Sequence, residues 1–209
     1  MRSYLPILCA AIGLLPASAA TIHDNGAPNL AGASQMIEYL QADDFTLGAQ
    51  YSLTGVRFWS LEGSGIYSGS IDWSIRQNNG GLPDAIVTSG TVSPTRVDSG
   101  PALGLTLFQN DFSIGPVNVA AGTYWLVLNT TSAGQFPDFY WANSSTGAGL
   151  VGQEYELAGP GPWNPTFEQS FQIFGDRVVD QPVPEPGTWA LLAGGLITLA
   201  AARRKKSVS

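Results

Sequence analysis

Residues Ser70–Val92 read SIDWSIRQNNGGLPDAIVTSGTV. In Ile71-Asp72-Trp73-Ser74-Ile75-Arg76, apolar and polar residues alternate strictly. Successive side chains of a strand point to opposite faces, so Ile71, Trp73 and Ile75 share one face and Asp72, Ser74 and Arg76 the other. Gln77–Asp84 follows, with Gly80 and Gly81 able to take positive φ and Pro83 expected to stop the ladder. Ala85–Val92 then resumes as extended chain. A strand, a glycine turn and another strand make the reading β.

The pattern repeats outward. Leu53–Trp59, Leu103–Phe108, Thr123–Asn129, Phe139–Asn143 and Phe171–Phe174 read as strands, with weaker candidates at Gln35–Tyr39, Phe45–Leu47 and Tyr155–Ala158. The stretch 159–165, GPGPWNP, is too rich in Pro and Gly for regular structure and reads as a loop displaying Trp163. No segment between the two chain ends carries a long helical apolar period. Many short strands with regular turns predict an all-β domain, an antiparallel β-sandwich or jelly roll.

Both ends differ from this middle. MRSYLPILCAAIGLLPASAA, residues 1–20, has Arg2, an apolar stretch from Leu5 to Leu15, and small residues at Ala17-Ser18-Ala19. That is the layout of a secretory signal peptide, cut after Ala19 or Ala20, and the apolar part is too short for a membrane span. The only cysteine, Cys9, lies within it, so the exported chain has no disulfide to brace it and depends on its core. Residues 21–177 form the expected domain and 178–182 a linker. Residues 183–206 form a distinct tail of Pro184-Glu185-Pro186, an apolar run from Thr188 to Ala202, and Arg203-Arg204-Lys205-Lys206. As a helix the run rises about 22 Å, short of the ~30 Å hydrocarbon core, so it suits a brief stay at a membrane better than permanent anchorage.

Composition excludes several chemistries. Residues 21–182 hold four arginines against fifteen acids, a balance of −11 that repels nucleic acid and anionic lipid. They contain no Cys or Lys, and His23 is their only histidine. A Ser-Lys nucleophile and a His/Cys zinc site are therefore impossible, and a Ser-His-Asp triad would hang on one residue next to the signal cleavage point. Carboxylates are the class left in quantity. Asp43, Asp44, Asp111, Asp138, Glu154, Glu156 and Glu168 are the candidates for a glycosidase pair, with no local motif selecting two of them. Asp43-Asp44 before Phe45, and Asp111 before Phe112, could hold calcium with backbone oxygens, or act as turn and cap residues. Of the tryptophans, Trp73 belongs with the core face. Trp125, Tyr140, Trp141 and Trp163 are the candidates for stacking on sugar rings.

The tail, with Pro184-Glu185-Pro186, its short apolar run and its basic end, closely resembles the PEP-CTERM sorting signal. The resemblance implies that exosortase, a membrane protease-transpeptidase, recognises the tail and cuts near Pro-Glu-Pro. It further implies delivery to the surface or exterior of Gram-negative bacteria that make exopolysaccharide. The stretches Ala42-Asp43-Asp44-Phe45, Asn79-Gly80-Gly81-Leu82-Pro83, Ala121-Gly122-Thr123-Tyr124-Trp125 and Phe171-Gln172-Ile173-Phe174-Gly175 resemble β-rich domains carried by other proteins with this tail. That likeness implies a shared sandwich and transfers no catalytic residue. The expectation is an exported, non-enzymatic structural or adhesive protein of an exopolysaccharide or biofilm matrix, whose partners are exosortase and then glycan or envelope proteins. The alternatives are a dedicated carbohydrate-binding module and a carboxylate-dependent glycoside hydrolase or lyase. No resident cofactor is expected beyond the calcium option.

Overall fold

The computed structural model describes residues 19–130, 138–146, 149–159 and 161–179. The signal peptide through Ser18, the end of the linker, and the sorting tail with its short membrane helix lie outside these residues. The chain divides into two units, Met1–Val178 and Val179–Ser209, and all the strands belong to the first. Every regular element among the described residues is a strand, and every pairing between strands is antiparallel.

One sheet contains β1 (Ala20–Asp24), β2 (Pro28–Gln35), β4 (Tyr51–Glu62), β7 (Thr95–Ala102), β8 (Leu105–Val119), β10 (Phe139–Ser144) and β13 (Phe171–Arg177). The other contains β3 (Tyr39–Leu47), β5 (Ile71–Asn79), β6 (Leu82–Val92), β9 (Gly122–Asn129), β11 (Gln153–Glu156) and β12 (Asn164–Pro165), in the order β12-β11-β3-β9-β5-β6. Strand β4 is the spine of the first sheet. It pairs with β8 along its length, and on its other flank with β13 near Val56 and with β10 near Leu61. β1 lies outside β13, β2 outside β10 and β7 outside β8.

One apolar core lies between the two sheets. Val56, Phe58, Phe112, Trp141, Phe171 and Ile173 come from the first sheet; Phe45, Ile71, Trp73, Ile75, Leu126 and Leu128 come from the second. Burying each of these side chains is worth about 1.5–3 kcal/mol, and the shared cluster is what makes two sheets a sandwich. The alternation of Ile71, Trp73 and Ile75 faces this core as expected. In β4, Leu53, Val56 and Phe58 all face inward although their spacing mixes odd and even. Against β13, β4 carries one extra residue, Thr54, between the Gly55–Phe174 and Leu53–Gly175 pairs, and this bulge shifts the parity.

Three expectations change. Pro83 does not stop the ladder: Gly80 and Gly81, at φ +62° and +88°, make a two-residue turn, and Asn78 pairs with Pro83. Strand β6 is the edge of its sheet, where a missing N–H is tolerated. Leu103 does not start a strand. It sits at φ +53° beside Gly104 at φ +78° in the turn between β7 and β8. The weak candidate Gln35–Tyr39 covers the break between β2 and β3, because Ile37 and Glu38 bend the chain from one sheet to the other.

Candidate functional site: a polar cleft around Phe167

The segment Thr166–Ser170 crosses from one sheet to the other just before β13. The N–H of Thr166 donates to Gly152 O at 2.7 Å, and the N–H of Gln169 donates to the Asp43 carboxylate, both in the second sheet's layer. The N–H of Ser144 donates to Glu168 O and that of Ser170 donates to Ala142 O, each at 2.8 Å, in the first sheet's layer. Gly152 is required by this closure, since a Cβ there would stand 2.2 Å from the Phe167 carbonyl oxygen. The segment is thus held from both sides, and its central side chain is left outside. Phe167 is 68% exposed, more than any other large apolar side chain among the described residues.

Two polar hollows meet at that ring. One, of about 510 Å³, is lined by Ser34 and Gln35 of the β2 edge, Glu154 of β11, and Pro165 and Thr166. The other, of about 210 Å³, is lined by Asn29, Asn143, Ser144, Ser145 and Glu168. Behind the wall stand two glutamines with no exposed surface. The Gln41 amide donates to Gln35 O at 2.8 Å and to Glu154 Oε2 at 3.4 Å. The Gln169 amide donates to Ser34 Oγ at 2.8 Å and to Phe167 O at 2.6 Å. Carbonyl acceptors fix which end of each amide is nitrogen, and they leave Gln41 Oε1 and Gln169 Oε1 buried without a donor. Gln35 Nε2 is likewise a buried donor without an acceptor.

A buried acid network supports the cleft. Asn25 Nδ2 donates to Asp43 Oδ2 at 2.9 Å, to Gln169 O at 2.9 Å and to Glu168 Oε2 at 3.4 Å. Burial lifts the Asp43 carboxyl well above the usual carboxylate range, and the neighbouring Glu168 adds to the effect. Glu168 is raised too, again mainly by burial. Asp44 points to the other side of β3, where its Oδ1 accepts the Leu150 N–H at 2.6 Å, and burial pushes it up to about 6. Asp43 therefore anchors the Phe167 segment, while Asp44 anchors the chain at Leu150.

The residues singled out from sequence fall in different places. Trp141 is fully buried, its Nε1 donating to Ser170 O at 2.9 Å and its ring edge-on to Phe58 and Phe171. Trp125 is fully buried on the far face of β9 among Ala42, Val127 and Trp163, with Nε1 on Asn78 Oδ1 at 3.0 Å. Neither offers a face to a sugar, which corrects the expectation for both. Trp163 is half-buried as the cover of that cluster, 5.4 Å from the Tyr155 ring and 5.8 Å from the Arg76 guanidinium. Tyr140 lies on the outer face of the first sheet near Trp59, donating its hydroxyl to Asp138 at 3.1 Å.

The calcium expectation fails for a geometric reason. Asp43 and Asp44 point to opposite sides of one strand, and Asp111 lies on the other sheet, 2.6 Å from Arg57. No group of three His, Cys, Asp or Glu side chains among the described residues is placed to hold a metal ion. Of the acids considered for hydrolysis, Glu154 and Glu168 reach the cleft, one in each hollow. Sequence reasoning passed over Phe167. The available signal was an isolated phenylalanine in Pro165-Thr166-Phe167-Glu168-Gln169-Ser170, with no apolar partner at strand spacing.

The fold and the cleft define a disulfide-free all-β sandwich with one exposed aromatic among hydrogen-bonding groups. Residues 182–205 match the PEP-CTERM protein-sorting motif, so the chain is a protein bearing that motif. The motif marks it for export and for sorting to the cell envelope, with exosortase as its processing partner. No curated protein matches the sequence.

Proposed function

We propose that the sandwich is a non-catalytic glycan-binding domain, acting as an adhesive component of an exopolysaccharide matrix at or beyond the surface of a Gram-negative cell. The observation that carries this reading is Phe167, an exposed ring held rigidly between two hollows rich in Asn, Gln, Ser and Glu. An aromatic face removes the apolar face of a pyranose from water, while convergent donors and acceptors fix its hydroxyls. A hydrolase is the weaker alternative, because paired carboxylates must flank one glycosidic bond and each hollow carries only one.

All thirteen strands and the core found among the described residues lie between Ala20 and Arg177, so residues 20–182 contain what the fold needs. That fragment should be retained on immobilised polysaccharide, and Phe167→Ala should abolish retention. Incubation with the retained polymer should release no reducing ends. Retention unchanged in Phe167→Ala would remove the cleft from the argument.

A further inference from the structure

We propose that Arg76, on the outer face of the second sheet, recognises a carboxylate carried singly on an otherwise neutral glycan, such as one glucuronate among hexoses. The carboxylate is read from this second site alone. The choice of a glycan to carry it rests on the reading of the Phe167 cleft.

The state of the guanidinium gives the first argument. Arg57 pairs with Asp111 and Arg96 with Glu62, while Arg177 is exposed at the end of β13. Arg76 is half-buried and has no carboxylate partner among the described residues, and burial alone lowers its guanidinium from the ordinary range. Two contacts fix its plane. Its Nε donates to Ser74 Oγ at 3.2 Å, and its guanidinium carbon lies 5.8 Å from the centre of the Trp163 ring. Neither contact uses Nη1 or Nη2. Those two nitrogens have no acceptor among the described residues and are not sealed from solvent. A guanidinium held in this way presents an open, preorganised fork, the geometry that matches the two oxygens of a carboxylate.

The space beside the fork gives the second, independent argument. Asp72, Ser74 and Arg76 share the outward face of β5, Ser89 and Thr91 stand opposite them on β6, and Asn129 stands opposite Asp72 on β9. All six line one hollow of about 300 Å³, at the opposite margin of the sheet from β11 and β12. Hydroxyl and amide side chains next to a carboxylate receptor suit a sugar ring that bears both hydroxyls and an acid group. Charge then limits the ligand to one carboxylate. Asp72 makes no ion pair with Arg76 and instead accepts the Thr91 hydroxyl, so it leaves the fork free and repels a second acid group. A dense polyuronate is disfavoured for that reason.

The test titrates residues 20–182 calorimetrically with two trisaccharides that differ only in one terminal sugar, glucuronate or glucose. Phe167→Ala removes the first site, so in that variant the uronate probe should still bind, at least about tenfold more tightly than the neutral one. Adding Arg76→Gln should abolish that binding, and Arg76→Lys, which keeps the charge without the fork, should lose most of it. Arg177→Gln removes the same charge from an exposed position and should leave it unchanged. Circular dichroism on each variant separates lost binding from lost folding. Uronate binding that is absent, that disappears with Phe167→Ala alone, or that survives Arg76→Gln would overturn this site and leave the Phe167 reading standing. An intact domain that binds the uronate through Arg76 but no neutral glycan, soluble or immobilised, would overturn the Phe167 reading instead. A tripeptide carboxylate that binds through Arg76 as tightly as the uronate would overturn the glycan as carrier.

Discussion

At the scale of single residues, Phe167 and Gly152 separate function from folding. Phe167 is mostly solvent-facing, so Phe167→Ala should leave the urea midpoint within the ±0.5 kcal/mol typical of surface changes while removing glycan retention. Gly152→Ala should do the reverse. Its Cβ meets a backbone oxygen that cannot swing away, so a loss of about 2 kcal/mol or more is expected, read by the same unfolding curve. Residue identity explains why the stacking candidates were misplaced in the sequence. Tryptophans are the obvious sugar platforms, but a sandwich of this size also needs its largest side chains inside. Trp125 and Trp141 have found carbonyl partners for their N–H groups there. An exposed ring carries no periodicity, so the isolation of Phe167 was its only signal.

At the scale of elements, strands that face the core on one side were legible and those at the margins were not. The alternation in Ile71–Arg76 and the run Phe171–Phe174 both became strands, the first with its expected inward face. β1, β2 and β7 went unread because they are edge strands whose residues, Ser34 apart, are exposed or only partly buried, so alternation is diluted by polar side chains on both faces. β4 and β8 run further than the apolar pattern suggests, because bulges break the period of two without ending the pairing. The turn at Leu103-Gly104 gives a direct check. A leucine at φ +53° is strained, and asparagine is the residue that this two-residue turn prefers before glycine. Leu103→Asn should therefore raise stability by up to about 1 kcal/mol, seen as a higher melting temperature with glycan binding unchanged.

At the scale of the whole molecule, buried acids set how stability varies with pH. Asp44 has a carboxyl at about 6 in the folded chain, against about 3.9 when unfolded. Between those values the folded state holds the extra proton, so stability is greatest below the unfolded value and declines as pH rises through 6. Asp43 and Glu168 are raised in the same sense. His23, lowered by burial, acts oppositely and gains stability as pH rises through its own range. With Glu62 also raised by burial, four carboxyls outweigh one imidazole. Urea unfolding should show a domain more stable near pH 5 than near pH 7.5, with Asp44 accounting for about 1.5 kcal/mol of the difference. A stability that rises with pH over that interval would contradict the assignment.

Sorting is tested on the same scale. Released protein digested for mass spectrometry should yield no peptide from Leu191–Ala202, and an intact tail would mean that the motif had not been processed. Fold class and destination were both legible in the sequence, the first from period-two alternation and the second from the Pro-Glu-Pro tail. The proposed ligand surface was not, because it is assembled from β2, β11 and the Phe167 segment, residues that meet only when both sheets have formed.

The pairing of β1 with β13 brings the two ends of the described domain together. Ala20 lies against Gly175, so the chain enters the sandwich and departs from it at Val178 on the same end. Phe167 precedes the opposite end of β13, about 20 Å away along the strand. The sandwich therefore has a root and a tip. Proteolysis at either chain end would therefore act at the root, remote from the Phe167 segment.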